Sequence, residues 1–149
     1  MKIGFLTDKN GYRAPIHPES IEKYSLDVHL EKDIFEYLKY SESIQNNVKT
    51  ISKVSDLDIV ACVENIEDKK IKDLKEGAIL IGIFDFEKIE DIKNLRPDIK
   101  ILSFFKLPRI SRAQNLDALS SQANLLGYAS VLRAAKETSD VVPMMTTAA

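Results

Sequence analysis

Apolar residues recur along this chain in two alternating rhythms. Lys2 to Leu6, Leu26 to Leu30, Leu57 to Val63, Ala78 to Phe84 and Lys100 to Phe104 have the length and aliphatic content of strands. Leu57–Val63 and Ala78–Phe84 are apolar at almost every position, which suits central parallel strands buried on both faces. Between these runs lie stretches with helical spacing: His17 to Tyr24, Asp33 to about Tyr40, Ile66 to Leu74 and Lys88 to Leu95. Punctuation agrees with this division. Asn10-Gly11 marks a turn in the loop Thr7–Pro15, Pro18 suits a first helical position, Gly77 ends a helix, and Pro97 stops another. Ser41 to Asn47 reads as irregular, and Val48 to Val54 as a small strand or a loop. The alternation predicts an α/β fold of flavodoxin-like type, with three layers, right-handed crossovers and a doubly wound, mainly parallel sheet. A long C-terminal helix follows from Leu116 to about Thr138. Its stripe runs through Leu116, Leu119, Ala123 and Leu126, then Leu125, Ala129, Leu132 and Ala135.

Composition narrows the function. The chain has 149 residues, enough for one domain with a real core. Its net charge of −2 gives no nucleic-acid footprint. Cys62 stands alone, so no intrachain disulfide can form, and a reducing compartment fits. The start, Met1-Lys-Ile-Gly-Phe-Leu, is broken too soon by Asp8 and Lys9 for a signal peptide. The longest apolar run, Ala78 to Phe84, is too short to span a bilayer, so direct membrane insertion is not expected. The five glycines include no Gly-x-Gly-x-x-Gly, and no phosphate loop, Cys/His metal spacing or nucleophile elbow occurs. No metal site and no catalytic side chain is expected.

The densest chemistry lies between Pro108 and Tyr128. Arg109 and Arg112 supply planar donors. Gln114, Asn115, Gln122 and Asn124 can donate and accept. Asp117 can hold an arginine, and Ser120 and Ser121 add hydroxyls. These residues either form a rim for a planar polar ligand or serve only as helix caps. Arg13 stands just after the first strand's carboxyl end, the edge where open α/β sheets bind ligands. It is a candidate ligand-facing residue, or a surface arginine paired with a nearby acid. His17 reads as a helix-boundary residue, and His29 carries no partner motif.

The run Pro108-Arg-Ile-Ser-Arg-Ala-Gln-Asn-Leu-Asp-Ala-Leu-Ser-Ser-Gln-Ala-Asn-Leu-Leu-Gly-Tyr128 closely resembles the nicotinamide-side loop of the alpha subunit of proton-translocating NAD(P) transhydrogenase, a relative of alanine dehydrogenase. The rest of the chain resembles the first of that family's two NAD-side domains more loosely. Departures are Arg13-Ala14-Pro15 where the family has Arg-Val-Ala, and no Gly-rich stretch near Val48–Val54. The resemblance implies that residues 1–138 form the N-terminal-type domain. It implies that 139–149 form a tail leading, in the family, to an NAD-binding Rossmann domain that this sequence lacks.

By position, the resemblance implies that Arg109, Gln114, Asp117 and Ser120 contact or orient the dihydronicotinamide of NADH. Direct hydride transfer between nicotinamides needs proximity and orientation rather than an acid or base. The implied partners are a Rossmann domain, the membrane and NADP-binding transhydrogenase subunits, and a second copy of the chain. The implied location is cytoplasmic, peripheral to the inner membrane through those subunits. A non-catalytic remnant or stand-alone module is the alternative. An alanine dehydrogenase is disfavoured. Its lysine and histidine would fall where this chain has Val63-Glu64-Asn65 and Phe84-Asp85-Phe86, and no histidine follows His29.

Overall fold

The computed structural model describes residues 1–8, 13–23, 27–34, 48–108 and 110–138, without the side chains of Pro18 and Glu22. The chain divides into two units, Met1–Pro108 and Arg109–Ala149. The first carries a six-stranded sheet in which every described pairing is parallel. Its strands are β1 (Lys2–Phe5), β2 (Asp27–Leu30), β3 (Lys49–Thr50), β4 (Ile59–Ala61), β5 (Ile79–Gly82) and β6 (Lys100–Ser103). Its helices are α1 (Pro18–Lys23), α2 (Asp68–Lys72) and α3 (Phe86–Leu95), and residues 32–34 are also helical. The expected turn at Asn10-Gly11, the rest of the helix expected to run to Tyr40, the segment Ser41–Asn47 and the tail 139–149 lie outside the described residues.

The strand order is β3-β2-β1-β4-β5-β6. Without the two-residue β3, this is the flavodoxin-like order, with the reversal between β1 and β4. Side-chain alternation then sorts the core onto two faces. Phe5, Val28 and Leu30 point to one face, where they meet Ile16, Ile21 and Ile34. Leu6, Val60, Cys62 and Leu80 point to the other, against Ile71 of α2, Leu74 just after it, and Ile89 and Ile92 of α3. Helices before the reversal cover one face and helices after it cover the other, which is the doubly wound arrangement expected from the alternating runs.

Several strand limits differ from the apolar runs, yet backbone bonds continue beyond the regular ladder. Leu6 N–H donates to Ala61 O at 2.8 Å and Ile83 N–H to Val63 O at 2.7 Å. The segment leading into β4 is held by a close approach. A Cβ on Gly4 would stand 2.2 Å from Leu57 Cδ1, so the bare glycine makes room for a leucine that is only 1% exposed. Gly77, at φ +70°, supplies the left-handed turn between α2 and β5.

Arg96 closes the helical layer in a way that periodicity could not show. Its Nη1 donates to the carbonyls of Lys72, the last residue of α2, at 2.8 Å and of Leu74 at 2.6 Å. Its Nε and Nη2 hold Asp98, each at 2.7 Å, and the guanidinium keeps that carboxyl far below the usual carboxylate range.

In the second unit, a 3-10 turn over Ser111–Leu116 precedes α4 (Ala118–Glu137). The long helix expected here is present but begins two residues after Leu116. Asp117 is its N-cap, and the turn before it takes the residues expected to begin the helix.

Leu80, fully buried at the centre of β5, tests the packing account. Leu80→Ala is expected to lower stability by about 2–5 kcal/mol, read as an earlier midpoint in urea denaturation monitored by circular dichroism.

Candidate functional site

Parallel strands bring all their carboxyl ends to one rim, and in this protein the polar groups just beyond β1, β2 and β4 meet there. Thr7 and Asp8 follow β1, Glu31 follows β2, and Glu64 and Asn65 lie beyond β4. Asp8 is 4% exposed. Its Oδ1 accepts the Asn65 N–H at 3.0 Å, and its Oδ2 lies 2.7 Å from Arg13 Nη2. The same Nη2 is 2.6 Å from Glu64 Oε2. Arg13 therefore does pair with nearby acids, as one of its two sequence readings expects. Among the described residues Nη2 alone carries both pairs. Glu64, and to a lesser extent Asp8, hold the guanidinium even more firmly protonated than usual.

Glu31 sits beside this group. Its Oε2 accepts the Thr7 N–H at 2.9 Å and the Thr7 hydroxyl at 2.7 Å, and its Oε1 pairs with Lys70 Nζ. Burial pushes its pKa up, but the bonds from Lys70 and Thr7 outweigh that, and the net direction is down. Asp8, Glu31 and Lys70 were not singled out by the sequence. The one signal available was an acid at the end of an apolar run.

The other candidate residues lie in the second unit. Asp117 Oδ1 accepts the Ser120 N–H at 3.0 Å, and Oδ2 takes the Ser120 hydroxyl at 2.6 Å. The Ser121 hydroxyl donates back to the Asp117 carbonyl at 3.1 Å. Asp117 and Ser120 thus form the helix cap that was one of the two readings for this stretch. Gln114 is different. It lies exposed in the 3-10 turn, and its side chain makes no hydrogen bond among the described residues. Its main-chain carbonyl accepts the Asp117 N–H at 3.2 Å, which ties the turn to the cap. Arg109 lies outside the described residues.

The remaining chemistry is structural. Burial pushes the Cys62 thiol up to about 12, so it packs as an inert apolar group. His17 is exposed and 4.0 Å from Glu19. Asp85 accepts the Lys88 N–H at 2.8 Å as the N-cap of α3. No group of acids, histidines and cysteines able to hold a metal occurs among the described residues. No helix of these residues is long and apolar enough to cross a membrane.

Comparison with known proteins gives a consistent set. A scan against family models finds no match. The first portion of a divided NAD(P) transhydrogenase subunit alpha, from Rickettsia prowazekii, is 35% identical, over all of this chain and 43% of that protein. NAD(P) transhydrogenase subunit alpha of Haemophilus influenzae is 35% identical, over 87% of this chain and 27% of that protein. The chain thus spans less than half the length of these curated relatives. The crystal structure of transhydrogenase from Sinorhizobium meliloti superimposes with a TM-score of 0.83 at 27% identity, covering 99% of this chain and 48% of that one. An L-alanine dehydrogenase shares the fold, with a TM-score of 0.56 at 15% identity over 74% of this chain.

The Glu31 cluster has a signed pH dependence. Its folded pKa is lowered, so its stabilisation is present above the unfolded value of about 4.3 and is lost as pH falls through the folded one. Glu31→Gln is expected to cost about 1–2 kcal/mol at pH 7, with the gap to wild type closing below about pH 4 in urea melts.

Proposed function

Because this chain is a homologue of a portion of the alpha subunit of NAD(P) transhydrogenase, we propose that it is a component of such an enzyme. In this reading it presents the surface that orients the dihydronicotinamide of NADH for hydride transfer to NADP+, coupled to proton translocation. The observation that carries the reading is the contrast within residues 111–121. Asp117 and Ser120 are locked together, while the adjoining Gln114 carboxamide is exposed and unengaged. A carboxamide on a braced turn is a complementary partner for the carboxamide of nicotinamide, since each offers one donor group and one acceptor. Arg109, one residue beyond the first unit, supplies a planar cation to the same ligand. Asp117 and Ser120 act by holding the turn in shape.

Arg13, anchored by Asp8 and Glu64, is a further ligand-facing group on the rim of the sheet. Hydride transfer asks these residues to position a ring and keep it dry, not to move a proton. The glutamate and aspartate at the positions of the alanine dehydrogenase lysine and histidine are used in this chain to pair Arg13 and to cap α3. That leaves amino-acid oxidation without its proton-transferring groups.

NAD(H) is the cofactor, held by this chain on its nicotinamide side. Its phosphates are gripped by a Rossmann domain outside residues 1–149, with residues 1–138 as the N-terminal-type domain and 139–149 as the connecting tail. Membrane subunits that carry NADP complete the enzyme and hold it at the cytoplasmic face of the inner membrane. A second copy of this chain covers α4, whose Leu125, Leu126, Val131 and Leu132 are 55–70% exposed.

Two measurements check this. In proton NMR of NADH, adding the full chain should broaden the nicotinamide resonances more than the adenine ones, with weak affinity, and Gln114→Ala should abolish the difference. Equal broadening at both ends, or none, would favour the reading of a non-catalytic module. In sedimentation, the wild-type chain should form a dimer that Leu126→Glu with Leu132→Glu converts to monomer. A wild-type monomer would remove the second copy from the scheme.

A further inference from the structure

A polar hollow lies over one face of the first strands. It has a volume of about 320 Å³ and is lined by Lys2, His29, Lys49, Thr50, Ser52, Lys53 and Asp56, with Ile51 and Leu57 as its apolar wall. The sheet register explains why these groups meet. Lys2 pairs with Asp27, Gly4 with His29, and His29 with Lys49, so Lys2, His29 and Lys49 project from one face. On that face Leu57 fills the space over Gly4. Beyond it, toward the sheet edge, no apolar cluster continues among the described residues, and the chain from Ile51 to Asp56 forms the opposite wall.

The charges in this hollow are incompletely matched. Lys49 Nζ is 2.7 Å from Asp27 Oδ1 and is engaged. No carboxylate among the described residues pairs with the ammonium of Lys2 or Lys53. Three lysines face a single lining aspartate, Asp56. His29 is 12% exposed, and its Nε2 is fully buried without a hydrogen bond. Asp27 Oδ1 lies 3.2 Å from that nitrogen, so the ring sits against the Asp27 carboxylate.

We propose that this hollow is a binding site for a phosphate group carried by a small solute. The ammonium groups of Lys2 and Lys53, unpaired among the described residues, supply the charge, and the hydroxyls of Thr50 and Ser52 supply directional partners. A tetrahedral phosphate offers more acceptor oxygens than a carboxylate and can meet donors from several sides. The volume is at the lower end of the range for small-molecule pockets, which fits inorganic phosphate or a short phosphorylated metabolite rather than a dinucleotide. The site is independent of the nicotinamide surface and does not rest on that reading.

The test uses the full chain labelled with 13C and 15N and titrated with inorganic phosphate, against sodium chloride at matched ionic strength. Saturable shifts are expected at the His29 ring and the amides of residues 50–53, with α3 unmoved. Lys2→Ala with Lys53→Ala, both exposed positions, should weaken the affinity about tenfold. Lys69→Ala with Lys72→Ala, exposed on α2, should leave it unchanged. A drift that does not saturate and that chloride reproduces, or an equal loss in both double variants, would overturn the site in favour of general screening. The wild-type shift map alone decides the matter if the Lys2/Lys53 variant does not fold.

Discussion

A parallel sheet leaves no freedom over where its strands end. Each strand runs the same way and must be rejoined by a crossover, so every carboxyl terminus reaches the same rim. Burial makes that geometry rigid in this protein. Leu6, Val60 and Leu80 on adjacent strands are at most 1% exposed, and Ile71 and Ile92 seal them from the helical layer. Polar residues that follow the apolar runs cannot enter this core, and so they collect where the strands stop. Thr7, Asp8, Glu31, Glu64 and Asn65 come from three strands and form one bonded group for that reason alone.

This group has an internal logic. Asp8 is a buried acid, which is costly unless it is paired and hydrogen-bonded. Arg13 and the Asn65 amide meet that cost. Glu31 is solved in the same way by Thr7 and Lys70. The exposed half of the cluster, Arg13 with Glu64, adds little stability because water screens it. Its consequence is positional: the two carboxylates fix the guanidinium in place. The same division appears at the start of α4. Asp117 and Ser120 bond to each other in the cap, while Gln114, one turn earlier, is exposed.

Relatives and structure agree on ancestry, and they agree in showing that this chain covers only a portion of a larger molecule's length. Exposed apolar side chains fit that picture. The aliphatic residues of α4 are one case. Phe86 and Phe105 are another, meeting edge to face at 5.9 Å with Phe86 67% exposed. Contiguous exposed apolar surface of this kind marks interaction sites more often than bare solvent-facing surface.

Much of this was legible without coordinates. Apolar run length and period determine strands and helices locally, and strict strand–helix alternation leaves a parallel, doubly wound sheet as the economical arrangement. The candidate residues of 109–121 were also visible, because amides, arginines and hydroxyls crowd one short stretch. Their division of labour was not. A carboxylate before a helix can cap it, hold an arginine, or both, and sequence alone does not show which; the geometry shows that Asp117 caps α4. Asp8, Glu31 and Lys70 were invisible as a set because they are joined only by crossovers, over separations of 24 to 39 residues in the bonds that Glu31 makes. His29 was read as a strand residue without a partner motif, and it lines a hollow only because Gly4 and Lys49 fall beside it in register. Local periodicity is a property of neighbours along the chain, whereas a site depends on which distant residues the packing of the sheet brings within reach.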